Sequence, residues 1–174
     1  MPPASTAEAA GCYRRSASKG LEHGASTRIG NEAMERKIEV LIGDWAQLGA
    51  RAGALRHEVF VVEQGVPVEL ELDEYDSIAV HVLALEGGTV VGTGRLLPDA
   101  HIGRMAVRAT HRGRGVGAML LKALAEAARR RGDPSVVLAA QWHAQGFYRA
   151  HGFSAEGEPF MDAGIEHISM RKTF

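Results

Sequence analysis

The stretch IGRMAVRATHRGRGVG, residues 102–117, decides the reading of this chain. Ile102–Val107 is a short apolar run of strand character, and Gly113, Gly115 and Gly117 follow in a basic loop. Val116, Met119, Leu120, Ala123, Leu124 and Ala127 then recur at the spacing of an amphipathic helix. That helix runs into Arg129, Arg130, Arg131 and Gly132, the cations and glycine that suit a C-terminus. Glycines between a strand and a helix let the backbone pass close to a ligand, and the first helical amides have no internal partner. With the helix dipole, those amides form an anion site suited to a pyrophosphate. Arg112 and Arg114 add positive charge. The loop is not a P-loop, since no Gly-Lys-Ser/Thr follows, and its glycine spacing differs from the dinucleotide fingerprint. The plainer alternative is a glycine-rich turn whose arginines serve solubility.

Working outward, the periodicities predict an α+β order. Ile38–Ile42 reads as a strand, and Asp44 as the N-cap of a helix carrying Trp45, Leu48, Ala52, Leu55 and Val59 on one face. Residues 60–76 are mixed and loop-like, with an acidic run of Glu69, Glu71, Asp73, Glu74 and Asp76 that reads as solvated. If that run borders a ligand site, it attracts a cation. Ile78–Leu85 and Val90–Leu97 flank the turn Glu86-Gly87-Gly88-Thr89, a hairpin signal. Ser135–Ala140 is a buried-type strand, Ala144–His151 a short helix, and two last strands fall near 153–160 and 165–172. Residues 37–174 form one domain, without internal repeats. Residues 1–36, rich in Ala, Ser, Gly and Thr, show no apolar periodicity and are expected to be a disordered N-terminal extension.

Composition narrows the class further. The chain has 174 residues and a formal net charge of −1, against the basic excess that a dedicated nucleic-acid binder shows. No apolar run reaches the length of a membrane span. Cys12 is the single cysteine, so no internal disulfide forms and no cysteine cluster holds a metal. His143, His151 and His167 lack the paired spacing of a metal site, and no metal is expected. A reducing, cytoplasmic setting is the expectation.

Two motifs then carry a family resemblance. Arg112-x-x-Gly115-x-Gly117 after the strand Met105-Ala106-Val107 resembles the acetyl-CoA signature of the GNAT N-acetyltransferase superfamily. Gln141-x-x-Ala144-x-x-Phe147-Tyr148-x-x-x-Gly152-Phe153 is similar to a second block of that superfamily, with Gln141 where Asn is usual. Arg56-x-x-Val59-Phe60, Glu63-Gln64, Ile102-Gly103-Arg104 and Gly164-Ile165-x-His167-Ile168-x-Met170 point to the ElaA-like branch. The resemblance covers about residues 38–172. It implies a twisted, mostly antiparallel central sheet of six to seven strands flanked by helices. It implies acetyl-CoA held by Met105, Ala106, Val107, Arg112, Gly113, Arg114, Gly115, Val116, Gly117, Gln141 and Phe147. The strand Met105–Val107 splays from its neighbour there and offers amides to the acetyl oxygen.

The implied reaction is transfer of an acetyl group to a primary amine, on a small molecule or an exposed lysine, by direct attack on the thioester. The amine must be neutral at attack, the carbonyl polarised, and the leaving thiolate protonated. Tyr148 stands in the superfamily's usual acid position; its plainer role is ring packing with Phe147. His101, just ahead of the strand, is the candidate base, with Glu63, Asp73, Asp76 or a water chain as alternatives. Two other functions stay open: a synthase resembling the acyl-homoserine-lactone enzymes, through Arg56-x-x-Val59-Phe60 and Asp73-x-x-Asp76, and a non-catalytic acyl-CoA-binding module. The oligomeric state, a homodimer included, is open as well.

Overall fold

The computed structural model describes residues 37–174, so the expectation for residues 1–36 lies outside the described residues. Strand β1 (Ile38–Gly43) leads into helix α1 (Trp45–Arg56), and the Asp44 carboxylate caps that helix by accepting from the Gln47 amide at 2.9 Å. The chain continues from α1 into a wide π-type turn over His57–Glu63. A four-residue helix α2 (Val68–Glu71) and a 3-10 turn (Glu74–Ser77) follow. The loop expected over 60–76 is therefore corrected: most of it is short helical turns. Strands β2 (Val80–Glu86) and β3 (Thr89–Leu96) form the expected hairpin, with Gly87 and Gly88 both at positive φ, as a tight two-residue turn requires. Strand β4 (Ile102–Val107), helix α3 (Val116–Arg131), strand β5 (Ser135–Gln141), helix α4 (Gln145–Ala150) and strands β6 (Ser154–Asp162) and β7 (Ile165–Thr173) complete the order.

The seven strands form two antiparallel sheets, β1-β2-β3-β4 and β5-β7-β6. Among the described residues they meet at one parallel bridge, His101 with Val137, where the Val137 amide donates to the Ala100 carbonyl at 3.1 Å. Beyond that bridge β4 and β5 run on without a shared ladder. Helix α3 packs against both sheets, and its Val116, Leu120 and Leu124 join Val82, Ile102, Met105, Leu138 and Met170 in the main core. The contact is close because β3 offers glycines: a Cβ at Gly92 would stand 2.8 Å from Leu120 and 2.9 Å from Val116. Helix α1 covers the other face of the first sheet, burying Leu48 and Ala52 on Leu83 and Leu85, and Leu55 beside Ala106. Each buried leucine contributes roughly 1.5–3 kcal/mol. On that same side, the second sheet carries no helix, and a cavity opens there.

Candidate active site

The glycine loop and α3 build one wall of the first cavity. Gly115 caps α3 at φ 81° and supplies no side-chain acceptor, so no cap occupies the first-turn amides of Val116, Gly117 and Ala118. A left-handed cap costs glycine little and a β-branched residue a good deal. A cavity of about 440 Å³ lies at this helix end, lined by Val107, Arg112, Gly113, Gly115, Gly117 and Phe147 among others. Uncapped amides at a helix N-terminus are anion donors, so the wall fits a pyrophosphate. Val116 itself faces the core, so its contribution is its backbone. The arginines are more committed than the sequence suggests. Arg112 donates from Nη2 to the Glu63 carboxylate at 2.7 Å and from Nε to the Val107 carbonyl at 3.0 Å. Those Arg112 hydrogen bonds outweigh partial burial and hold the Glu63 carboxyl below its ordinary range. Arg114 pairs with Glu86 at 2.6 Å, and His111 approaches the same carboxylate at 3.0 Å. Much of the loop's positive charge is thus already matched, leaving the backbone as its main anion donor.

The opening between the sheets supplies the second element. Arg108 donates to the Val91 carbonyl at 2.9 Å, so that amide points into the first sheet. Alternation along a strand then turns the Val107 N–H and C=O to the opposite, open edge. There the Val107 carbonyl meets Arg112. Register slips between Thr93 and Arg95, so Gly94 faces both Arg104 and Met105, and Arg104 sits at φ 49°. The bulge lies on the stretch of β4 that shares no ladder with β5. Met105 faces α3 and Ala106 faces α1, so both, like Val107, can serve a ligand only through their backbone. Gln141 ends β5 at the open end, 4% exposed. Tyr148 lies on α4, fully buried, its ring edge-on to Phe147 and Phe153.

The acidic run is the main surprise. Glu71 and Asp76 are buried, not solvated, because three arginines from distant segments converge on them. Arg56, 1% exposed, donates to the Glu71 carboxylate and to both Asp76 oxygens, at 2.6 and 3.0 Å. Arg95 bridges Asp73 and Asp76 at 2.6 and 2.8 Å. Arg104 donates to the Leu70 and Glu71 carbonyls and to Asp73. Three cations meet three carboxylates, as burial of charge demands. Burial alone would raise Asp73 and Asp76, but the hydrogen bonds and charges of Arg95 on one and Arg56 on the other keep both low. Burial, then the Arg95 and Arg56 charges, lower Arg104 to about 10, still charged at neutral pH. The network ties α1 and α2 to β3 and β4 and supports the bulge.

Above this network lies a second cavity, of about 280 Å³. Asp73 and Arg95 line it on one side, Val137 and Ala139 form a wall, and Phe160 and Asp162 stand opposite. His101, 45% exposed, is at its rim, with Nδ1 3.1 Å from Asp99. The structure therefore separates the predicted residues: Val107, Arg112, Gly113, Gly115, Val116, Gly117 and Phe147 line one cavity and His101 the other, while Arg114, Gln141 and Tyr148 line neither, Tyr148 lying in the main core. Among the described residues, no helix is long and apolar enough to cross a membrane.

A helix N-terminus open to an anion beside an open strand edge suits an acyl-CoA, and so the class of acyl-CoA-dependent acyltransferases. The acetyltransferase (GNAT) domain model matches residues 43–174. An uncharacterized N-acetyltransferase of Bacillus subtilis, YjcF, is 41% identical over 122 residues, 68% of this chain and 87% of its own. The crystal structure of an acyl-CoA N-acyltransferase from Pseudomonas aeruginosa superposes at TM-score 0.71 with 32% identity, covering 79% of this chain and all of that one. Escherichia coli ElaA superposes at TM-score 0.71 with 30% identity, over 77% of this chain and 99% of its own. The chain belongs to the GNAT acetyltransferase family, in its ElaA-like branch. The acyl-homoserine lactone synthase BjaI shares the fold, at TM-score 0.67 and 20% identity, over 78% of this chain and 82% of its own.

Proposed function

We propose that this enzyme transfers the acetyl group of acetyl-CoA to a primary amine by direct attack on the thioester. The observation that carries the reading is the uncapped N-terminus of α3 beside Val107 at the open edge of β4, both lining one cavity; the separate cavity beside Asp73 and Phe160 is taken as the acceptor cavity. The α3 amides hold the pyrophosphate, and the open-edge amide of Val107 donates to the acetyl oxygen as it gains charge. Tyr148 gives its phenolic proton to the departing thiolate. The acceptor enters over Phe160, and Asp162 and Asp99 favour a cation in the acceptor cavity. His101, one of the candidate bases read from the sequence, lies at the rim of that cavity beside Asp99. The residues that prompted the lactone-synthase alternative, Arg56, Asp73 and Asp76, belong to the buried network that seats α1, so their presence speaks for the fold.

The test is thiol release from acetyl-CoA across a panel of small amines and lysine peptides. Amine-dependent release is expected. Binding of acetyl-CoA without release would leave a binding module. A melting temperature raised by S-adenosylmethionine and not by acetyl-CoA would favour the synthase.

A further inference from the structure

We propose that His167, on the middle strand of the second sheet, takes the proton that the acceptor amine loses; this rests on the reading above. The sequence places His167 in the motif Gly164-Ile165-x-His167-Ile168-x-Met170 without a role. It is 0% exposed. Its Nδ1 lies 2.8 Å from the Ile165 carbonyl. A carbonyl only accepts, so Nδ1 carries the hydrogen, and in the neutral ring Nε2 keeps the lone pair. No described residue donates to that Nε2. A buried acceptor left unmatched is costly, and an amine N–H is the donor that the reaction brings.

The placement fits that role. His167 pairs with Gln141 across β5 and with Phe160 across β6, so the three side chains share one face in one row. Gln141 is the last residue of β5, at the open end of the gap between the sheets. Phe160 lines the acceptor cavity, as do Ser169, two residues along β7 on the same face, and Asp162, two residues along β6. The Phe160 ring stacks on His167 at 5.9 Å and 23°. Stacking covers the imidazole face and leaves the in-plane lone pair to an incoming donor. The Asp162 Oδ2 is also buried without a described partner, a second acceptor beside the row. His101, by contrast, stands at the closed end, where the sheets touch, already beside Asp99.

The step balances. The amine nitrogen attacks the thioester carbon, and the C–S bond breaks with its electron pair on sulfur. One N–H proton passes to His167 Nε2, and the sulfur takes the Tyr148 proton. Imidazolium and phenolate then reset by exchange with water. Asp162 on β6 and Asp73 with Arg95 are charged groups of the cavity that Phe160, the stacking partner of His167, also lines. Glu166, next in sequence, points to the opposite face. His143, after β5, lines the other cavity.

The experiment is His167→Asn, whose amide N–H replaces Nδ1–H toward the Ile165 carbonyl and whose side chain has no Nε2. Expected are an unchanged Kd for acetyl-CoA and a kcat lower by roughly 10²–10⁴-fold. A kcat/KM within about threefold of the parent, or a loss of acetyl-CoA binding that accounts for the fall in rate, overturns the assignment. Should the variant lose its cooperative melt, the parent labelled with ¹⁵N-histidine is titrated with amine in the presence of CoA. Movement of the His167 Nε2 resonance supports the proposal, and an unmoved resonance overturns it. A parent enzyme that releases no thiol with any amine removes the reading above together with this one, an outcome distinct from a silent His167→Asn.

Discussion

Replacing Asp76 with asparagine tests whether the buried charge network holds the fold. The Asp76 carboxylate accepts from Arg56 at 2.6 and 3.0 Å and from Arg95 at 2.8 Å, and all three side chains are under 5% exposed. In Asp76→Asn, three buried guanidinium groups face only Glu71 and Asp73. Removing one partner of a buried pair costs about 3–5 kcal/mol, far more than the 0–1 kcal/mol of an exposed pair. At about 3 °C per kcal/mol for a domain of this size, the melting temperature should fall by about 9–15 °C. The control is Glu126→Gln, which removes the exposed pair with Arg130 and should move the melt by no more than about 3 °C. Calorimetric melts and urea titrations read both variants. An Asp76→Asn melt within about 3 °C of the parent, matching the control, would mean that water already shields the cluster and that the reasoning fails.

Acid should act on the same residues. Asp73 and Asp76 titrate low in the folded state, so their stabilisation is complete above the unfolded carboxylate value of about 3.9 and is lost as pH falls through their folded values. His81, lowered mainly by burial, adds a loss that begins earlier, below its unfolded value of about 6.5. Melts across pH 7 to 3 check this pair of steps; a flat profile contradicts it. Tyr148→Phe should reduce kcat by about 10²–10⁴-fold with little change in acetyl-CoA affinity, as steady-state kinetics and calorimetric binding would show. Gly115→Val puts a β-branched residue at φ 81° and should abolish acetyl-CoA binding while the protein still melts cooperatively.

The loop and α3 were legible because their signals are local. Glycine spacing, the apolar face and the Arg-Arg-Arg-Gly end lie within about thirty residues, and the structure follows them. The hairpin and the Asp44 cap were legible for the same reason. The acidic run was misread because its partners, Arg56, Arg95 and Arg104, come from three other segments. One signal was available: Arg95 and Arg104 sit inside apolar strands, and a cation there needs a buried anion. His167 stood inside a family motif, but nothing in its sequence context assigned it a chemical role. Its interest comes from a backbone carbonyl two residues away that fixes its tautomer, and from a strand row that only the fold assembles.

The strand order of the second sheet also governs when the domain can fold. β7 is the last strand of the seven yet lies in the middle, between β5 and β6. During synthesis β5 leaves the ribosome about thirty residues ahead of the strand that completes its ladder. Its even-numbered residues can already dock on α3, but its backbone donors and acceptors must wait for residues 165–173. The first sheet has no such debt, since each of its strands pairs with one that precedes or follows it directly. A nascent chain halted before residue 165 would therefore present a finished four-stranded half beside two bare strand edges, the kind of surface on which chains misassociate.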